Sequence, residues 1–149
     1  MSKRGKTIIP PKPGTFQTKY LKEETINSRY KQAFKEPEHI IFSFKYLDLK
    51  DETFNVNKCD TKWFVQLLER KKSYCMMTAQ ETKQGGKSTR CHPIDWSDTC
   101  KSGFNIPNLS DDIEEYQLSI SKANGRIIGF FTEHIFHVVW LDPEHKLYG

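Results

Sequence analysis

A chain of 149 residues is normally one domain, and at that length it buries most of the surface that its unfolded form exposes. The mean hydropathy of −0.70, the short longest apolar run at 135–141 and the lack of an apolar stretch after the first basic residues all argue against membrane spans and secretory signals. We therefore expect a soluble, cytoplasmic protein without a membrane partner.

The net charge of +4 is concentrated at the N-terminus. Residues 1–24 hold six basic and two acidic side chains, together with three prolines, so the remainder of the chain is neutral. This composition predicts a flexible basic arm over 1–24 and a single folded domain over 25–149. The arm either contacts RNA phosphates or is only a solvated tail. Its candidate RNA-binding residues are Lys3, Arg4, Lys6, Lys12 and Lys19.

The first half of the domain predicts a strand and a long helix. A weak helical pattern over 25–34 precedes Pro37, and alternating residues over 39–48 then predict a strand that buries Ile40, Phe42, Phe44 and Tyr46. Asp60 is a suitable N-cap for a helix that begins at Thr61. Its apolar stripe is Phe64, Leu67 and Leu68, and the helical pattern continues towards Glu81 until two glycines end it.

The second half predicts a β-meander. Pro93 makes the segment 90–96 an edge strand or a strand end, and a loop over 97–115 leads to three strands at 116–122, 126–131 and 135–141. Asn124-Gly125 between alternating apolar residues is a strong hairpin signal. The fold class is therefore α+β, an antiparallel sheet with a C-terminal β-meander packed against one or two helices.

Two groups of residues are candidates for chemistry. In the first, Asp95 orients His92 as a general acid or base beside Arg90, or else the segment is only a structural turn capped by Asp95. In the second, His145 and Tyr148 follow the last strand and share proton transfer with Arg126, or else this tail only covers a sheet edge. His137, within the most apolar strand on the face of Val139 and Leu141, is expected to be a core residue.

The four cysteines are expected to be reduced, mostly buried thiols. No pair has the close spacing of a structural zinc site, and Cys91, His92 and Cys100 form a loose half-site at best. We therefore predict no metal and no cofactor, with a zinc-dependent domain as a weaker alternative.

The order of elements, the closing antiparallel strands and the His145-x-x-Tyr148 end resemble the RelE/YoeB-like ribonuclease toxin superfamily. The resemblance covers about residues 58–149. It implies metal-independent RNA cleavage, with Arg126 stabilising the phosphate and His145 and Tyr148 as the terminal acid/base pair. It also implies a possible protein antagonist, as in toxin-antitoxin pairs.

Two functions follow from these observations. The first is a metal-independent endoribonuclease in which Arg90 or Arg126 stabilises developing charge and His145 or His92 transfers protons. The second is a non-catalytic RNA- or protein-binding module that uses an aromatic-rich sheet and the basic arm.

Overall fold

The computed structural model describes residues 38–149, so the basic arm and the helix predicted over 25–34 lie outside the described residues. The helices are α1 (Thr61–Tyr74) and α2 (Ala79–Gln84), and short 3₁₀ turns occur at Val56–Lys58 and Trp96–Asp98. The strands are β1 (Ile41–Ser43), β2 (His92–Pro93), β3 (Glu115–Ser119), β4 (Arg126–Thr132) and β5 (Ile135–Asp142). No helix in this part of the chain is long and apolar enough to cross a bilayer.

The five strands form one sheet in the order β1-β5-β4-β3-β2. Strands β3, β4 and β5 are an antiparallel meander, and β2 adds to β3 as an antiparallel edge. The predicted α+β class with a closing meander is thereby confirmed. Strand β1 pairs with β5 in parallel, so the sheet is mixed rather than wholly antiparallel.

A bulge between β4 and β5 changes which residues share a face. The register shifts between Ile128 and Gly129, where a Cβ on Gly129 would overlap the carbonyl oxygen of His137. Beyond the bulge, Leu141 packs on the helix side of the sheet, whereas His137 stacks on Phe130 on the other side. The expectation that His137 and Leu141 share a face was therefore wrong.

Helix α1 covers one face of the sheet with a stripe that matches the predicted one only in part, since Leu67 is buried and Phe64 packs on the core as predicted but Leu68 does not. Its fully buried residues are Trp63, Leu67 and Tyr74, while Leu68 is 63% exposed. The indole of Trp63 donates a hydrogen bond of 2.6 Å to the carbonyl oxygen of Asn124, which fixes the helix in this rotation. Asp60 caps the helix as predicted, since its carboxylate accepts the N–H of Trp63 at 2.7 Å.

The predicted continuous helix is in fact two helices. Thr78 begins α2 with a capping box, in which its hydroxyl accepts the N–H of Glu81 at 3.1 Å and the Glu81 carboxylate accepts the N–H of Thr78 at 2.8 Å. The carbonyl of Met77 accepts the N–H of Ile40 at 2.9 Å instead of continuing a helix. The strand predicted over 39–48 is correspondingly short, and Phe44 beyond its end is 44% exposed.

Long loops cover the other face of the sheet. Phe54 stacks on Trp140 with ring centroids 4.8 Å apart, and Trp96 and Phe104 meet the same indole edge-on. Leu147, only 1% exposed, joins this loop-side core. The C-terminal tail is thus held against the sheet by an apolar anchor.

Candidate active site

A cavity of about 420 Å³ opens on the loop side of the sheet, where β4 begins and β5 ends. Four of the five residues predicted as catalytic line it, and they come from separate stretches of the chain. The lining residues are His92, Asp95, Asp98, Gln117, Arg126, Asp142, His145 and Tyr148. Its volume is within the range of about 300–1,000 Å³ usual for small-ligand pockets.

The sheet register explains why these side chains meet. Arg126 opens β4 opposite both Ser119 of β3 and Asp142 of β5. His92 pairs with Gln117 in the same ladder, two residues along β3 from Ser119. Because side chains two residues apart point to the same face of a strand, Gln117 and Ser119 both face the loop side.

Asp142 shapes the tail that carries His145 and Tyr148. Its buried carboxylate accepts the backbone N–H of Lys146 at 2.8 Å and that of Leu147 at 3.0 Å. This turn places His145 in a left-handed backbone conformation, with φ of 58°. The tail therefore covers the end of the sheet, as one interpretation of the sequence predicted, and its His145 and Tyr148 side chains line the cavity.

Hydrogen bonds hold the two side chains of the tail. The imidazole Nε2 of His145 accepts the N–H of Gly125 at 3.0 Å, and the hydroxyl oxygen of Tyr148 accepts the N–H of Asp95 at 3.2 Å. The Tyr148 hydroxyl uses its oxygen in this contact, so its own proton is free for another acceptor.

The guanidinium of Arg126 brings a positive charge to the cavity that no ion pair with a described carboxylate neutralises. Its guanidinium donates to the carbonyl oxygens of Ser121 at 3.1 Å and Gly125 at 2.9 Å. Among residues 38–149 no carboxylate forms an ion pair with it. Burial lowers the pKa of Arg126, and the positive charge of Arg90 lowers it further. Two neighbouring guanidinium groups create a favourable position for an anion.

Arg90 does not line the cavity itself, but its backbone is fixed beside it. It has a left-handed φ of 46°, and its N–H donates to Gly86 at 2.8 Å. The buried hydroxyl of Tyr74 lies 3.0 Å from the carbonyl oxygen of Thr89 and 2.7 Å from that of Ser119. Tyr74 thus ties the segment before Arg90 to β3 and to helix α1.

The two histidines of the cavity differ in environment. Burial lowers the pKa of His145, and Arg126 and Arg90 add to this effect, while Asp142 and a backbone hydrogen bond with Ala123 oppose it. The neutral imidazole is therefore the favoured form at neutral pH. His92 is exposed, and its Nε2 lies 3.2 Å from the side-chain nitrogen of Gln117.

The other predicted candidates lie elsewhere or have structural roles. Asp95 caps its own turn, since its carboxylate accepts the N–H of Ser97 at 3.0 Å, and it also lines the cavity. The five basic residues predicted to bind RNA lie outside the described residues. In the described part of the chain no group of three or more His, Cys, Asp or Glu is arranged to hold a metal ion. Cys91 instead packs against the helix-side core, and Cys100 donates its thiol proton to the carbonyl oxygen of Lys146. Cys75 and Cys100 are exposed and only Cys59 is fully buried, so the expectation of mostly buried thiols was wrong.

Three lining residues were not identified from the sequence: Asp98, Gln117 and Asp142. Gln117 carried a usable signal, because it is a polar residue between Tyr116 and Leu118 in a predicted strand. Asp142 carried another, since it follows the most apolar strand directly. Asp98 carried none, because the path of the loop after Trp96 depends on tertiary packing.

In comparisons with known proteins, no family model, no curated protein and no solved structure matches this chain.

Proposed function

We propose that this protein is an endoribonuclease that cleaves RNA with its own side chains, in the manner of a toxin-like ribonuclease. The observation that supports the proposal is the cavity itself, which gathers Arg126, His145, Tyr148 and His92 and lies beside Arg90. These groups provide charge stabilisation, a neutral base and a proton donor, which are the functions that phosphodiester cleavage needs.

The reaction begins at the ribose 2′-hydroxyl. The neutral imidazole of His145 accepts the 2′-hydroxyl proton while the 2′-oxygen forms a bond to the adjacent phosphorus. To do so, Nε2 must exchange the N–H of Gly125 for the substrate hydroxyl. His92 is the alternative base, since only the side chain of Gln117 occupies its Nε2.

The leaving group and the charge are handled by the remaining residues. The bond from phosphorus to the 5′-oxygen breaks, and Tyr148 donates its hydroxyl proton to that oxygen. The products are a 2′,3′-cyclic phosphate and a free 5′-hydroxyl. Arg126, with Arg90 beside it, stabilises the negative charge that develops on the phosphoryl oxygens.

The first experiment incubates the purified protein with a mixed RNA pool in EDTA and compares it with His145→Asn. Asparagine tolerates the left-handed backbone at this position, so the variant is expected to fold while losing the base. We expect the loss of cleavage to be about 100-fold or more, the usual contribution of a general base. Products are separated by electrophoresis and their ends identified as cyclic phosphates.

The matched control is His134→Asn, because His134 precedes β5 whereas His145 follows it, so the two lie towards opposite ends of that strand. This control should cleave like the wild type. Cleavage that survives in both His145→Asn and His92→Ala would refute the proposal. RNA that binds tightly but stays intact would instead favour a non-catalytic binding module, although the aromatic rings of the sheet, such as Phe130, Phe136 and Trp140, are buried.

A further inference from the structure

The cavity has two chemically different sides. Arg126 and His145 lie at the row where β4 begins and β5 ends, whereas Gln117 and His92 lie one inward-facing row away along β3, roughly 7 Å distant. The turn after β2 carries Asp98, which also lines the cavity. A site that bound only a phosphodiester would gain nothing from the carboxylate of Asp98, because the carboxylate and the phosphate are both negatively charged and repel each other.

Two side chains that line the cavity, Gln117 and Asp98, carry hydrogen-bond acceptors that no other residue of the described part uses. Gln117 is only 7% exposed, and its side-chain nitrogen contacts His92, so its carbonyl oxygen is left without a partner among residues 38–149. The carboxylate of Asp98 makes no ion pair or hydrogen bond within the same range. Asp98 is exposed and the oxygen of Gln117 is open to the cavity, so both acceptors can receive donors from water or from a bound group.

We propose that Gln117 and Asp98 form a base-recognition subsite within the cavity and that this subsite selects guanine. A carboxylate that binds two donors at once needs neighbouring N–H groups on one edge. Guanine offers N1–H and the 2-amino group side by side, whereas adenine, cytosine and uracil each place an acceptor next to their donor. The carbonyl oxygen of Gln117 accepts a further donor from the same base.

Two further features suit a nucleotide in this position. The ring of Tyr148 is 41% exposed at the cavity and presents an aromatic surface for stacking on a base. The separation of the two rows along β3 lets a base reach Gln117 while its phosphate lies against Arg126. The inference rests on the proposed ribonuclease function and assigns the base that this site recognises.

The test uses four short oligonucleotides that are identical uridine tracts except for a single central G, A, C or U. Each is made as RNA, to measure cleavage, and as a 2′-deoxy version that lacks the nucleophile, to measure the dissociation constant. We expect the guanine oligonucleotide to bind about tenfold more tightly than the other three, as one bidentate contact allows. Wild-type cleavage should show the same order.

The variant Asp98→Asn should reduce the preference for guanine to about threefold or less, because its amide offers only one acceptor to the two donors. The matched control is Asp111→Asn, an exposed acid that does not line the cavity, and it should keep the full preference. Equal binding of all four deoxy oligonucleotides, or an unchanged preference in Asp98→Asn, would overturn the subsite. Guanine-selective binding without any RNA cleavage would support the subsite and overturn the ribonuclease function.

Discussion

At the residue scale, two histidines of this protein resist protonation. Burial lowers the pKa of His137, and the nearby charge of Lys45 lowers it further. The Nε2 of His137 lies 2.7 Å from the hydroxyl of Thr132, but its buried Nδ1 has no hydrogen-bond partner in the described part. Burial and the neighbouring arginines lower the pKa of His145 in the same direction. Both side chains are therefore neutral in the folded protein over a pH range in which they charge once unfolded.

This difference makes stability depend on pH. Between the lowered folded pKa and the unfolded value of about 6.5, the unfolded chain binds more protons, so the free energy of unfolding rises with pH. We expect the wild type to be more stable at about pH 7.5 than at about pH 5.5, by urea denaturation. The variant His137→Gln should show a smaller difference between the two pH values. A wild type with equal stability at both would contradict this account.

At the element scale, local signals determined what the sequence could predict. The cap at Asp60, the Asn124-Gly125 signal and the alternation of the last strands act over a few residues, and the helix start, the hairpin and the last two strands were predicted correctly. The strand before the hairpin ends at Ser119 rather than at residue 122, so the connection is longer than the predicted Asn124-Gly125 turn. Thr78 and Glu81 also form a recognisable capping box, but apolar spacing through Tyr74 and Met77 suggested a continuous helix instead.

Errors arose where distant segments decide the structure. The strand at 41–43 extends only as far as its parallel pairing with β5, and because β5 lies nearly a hundred residues away in sequence, no local pattern reveals where this strand ends. The residues of the candidate site likewise fall into those that local patterns predict and those that depend on distant segments. Arg126, His145 and Tyr148 could be predicted because they flank strands with clear patterns, whereas Asp98 depends on how a long loop packs on Trp140.

The bulge at Gly129 provides the test at this scale. A side chain on residue 129 would meet the carbonyl oxygen of His137, so Gly129→Ala must push β4 and β5 apart. We expect a loss of about 2–3 kcal/mol or more in the free energy of unfolding, as for overpacked interiors. Urea denaturation measures it, with Ser102→Ala as the control, because Ser102 is an exposed residue outside the sheet. An unchanged midpoint for Gly129→Ala would show that the bulge is misplaced.

At the scale of the whole molecule, the sheet lies between a helix layer and a loop layer, and the cavity belongs to the loop layer. The C-terminal tail contacts both the loop layer and the end of the sheet where β4 begins. Leu147 is buried in the loop-side core, and its carbonyl oxygen accepts the N–H of Cys100 at 2.9 Å. The side chains of His145 and Tyr148 therefore depend on the loop from 97 to 115 as well as on the sheet. The proposed RNA cleavage and the free energy of unfolding should therefore change together when this loop is altered.

The reactivity of the four cysteine thiols tests the packing on both faces of the sheet, because the thiols differ in how deeply they are buried. Burial raises the pKa of Cys59 to about 11 and that of Cys91 to about 12, whereas Cys75 and Cys100 are exposed. Since the thiolate is the reactive form, an aromatic disulfide reagent at about pH 8 should modify two thiols quickly in the native protein and all four in denaturant. The double variant Cys75→Ser/Cys100→Ser should show no fast reaction. Rapid modification of Cys59 or Cys91 in the native protein would mean that the helix side of the sheet is not packed as described.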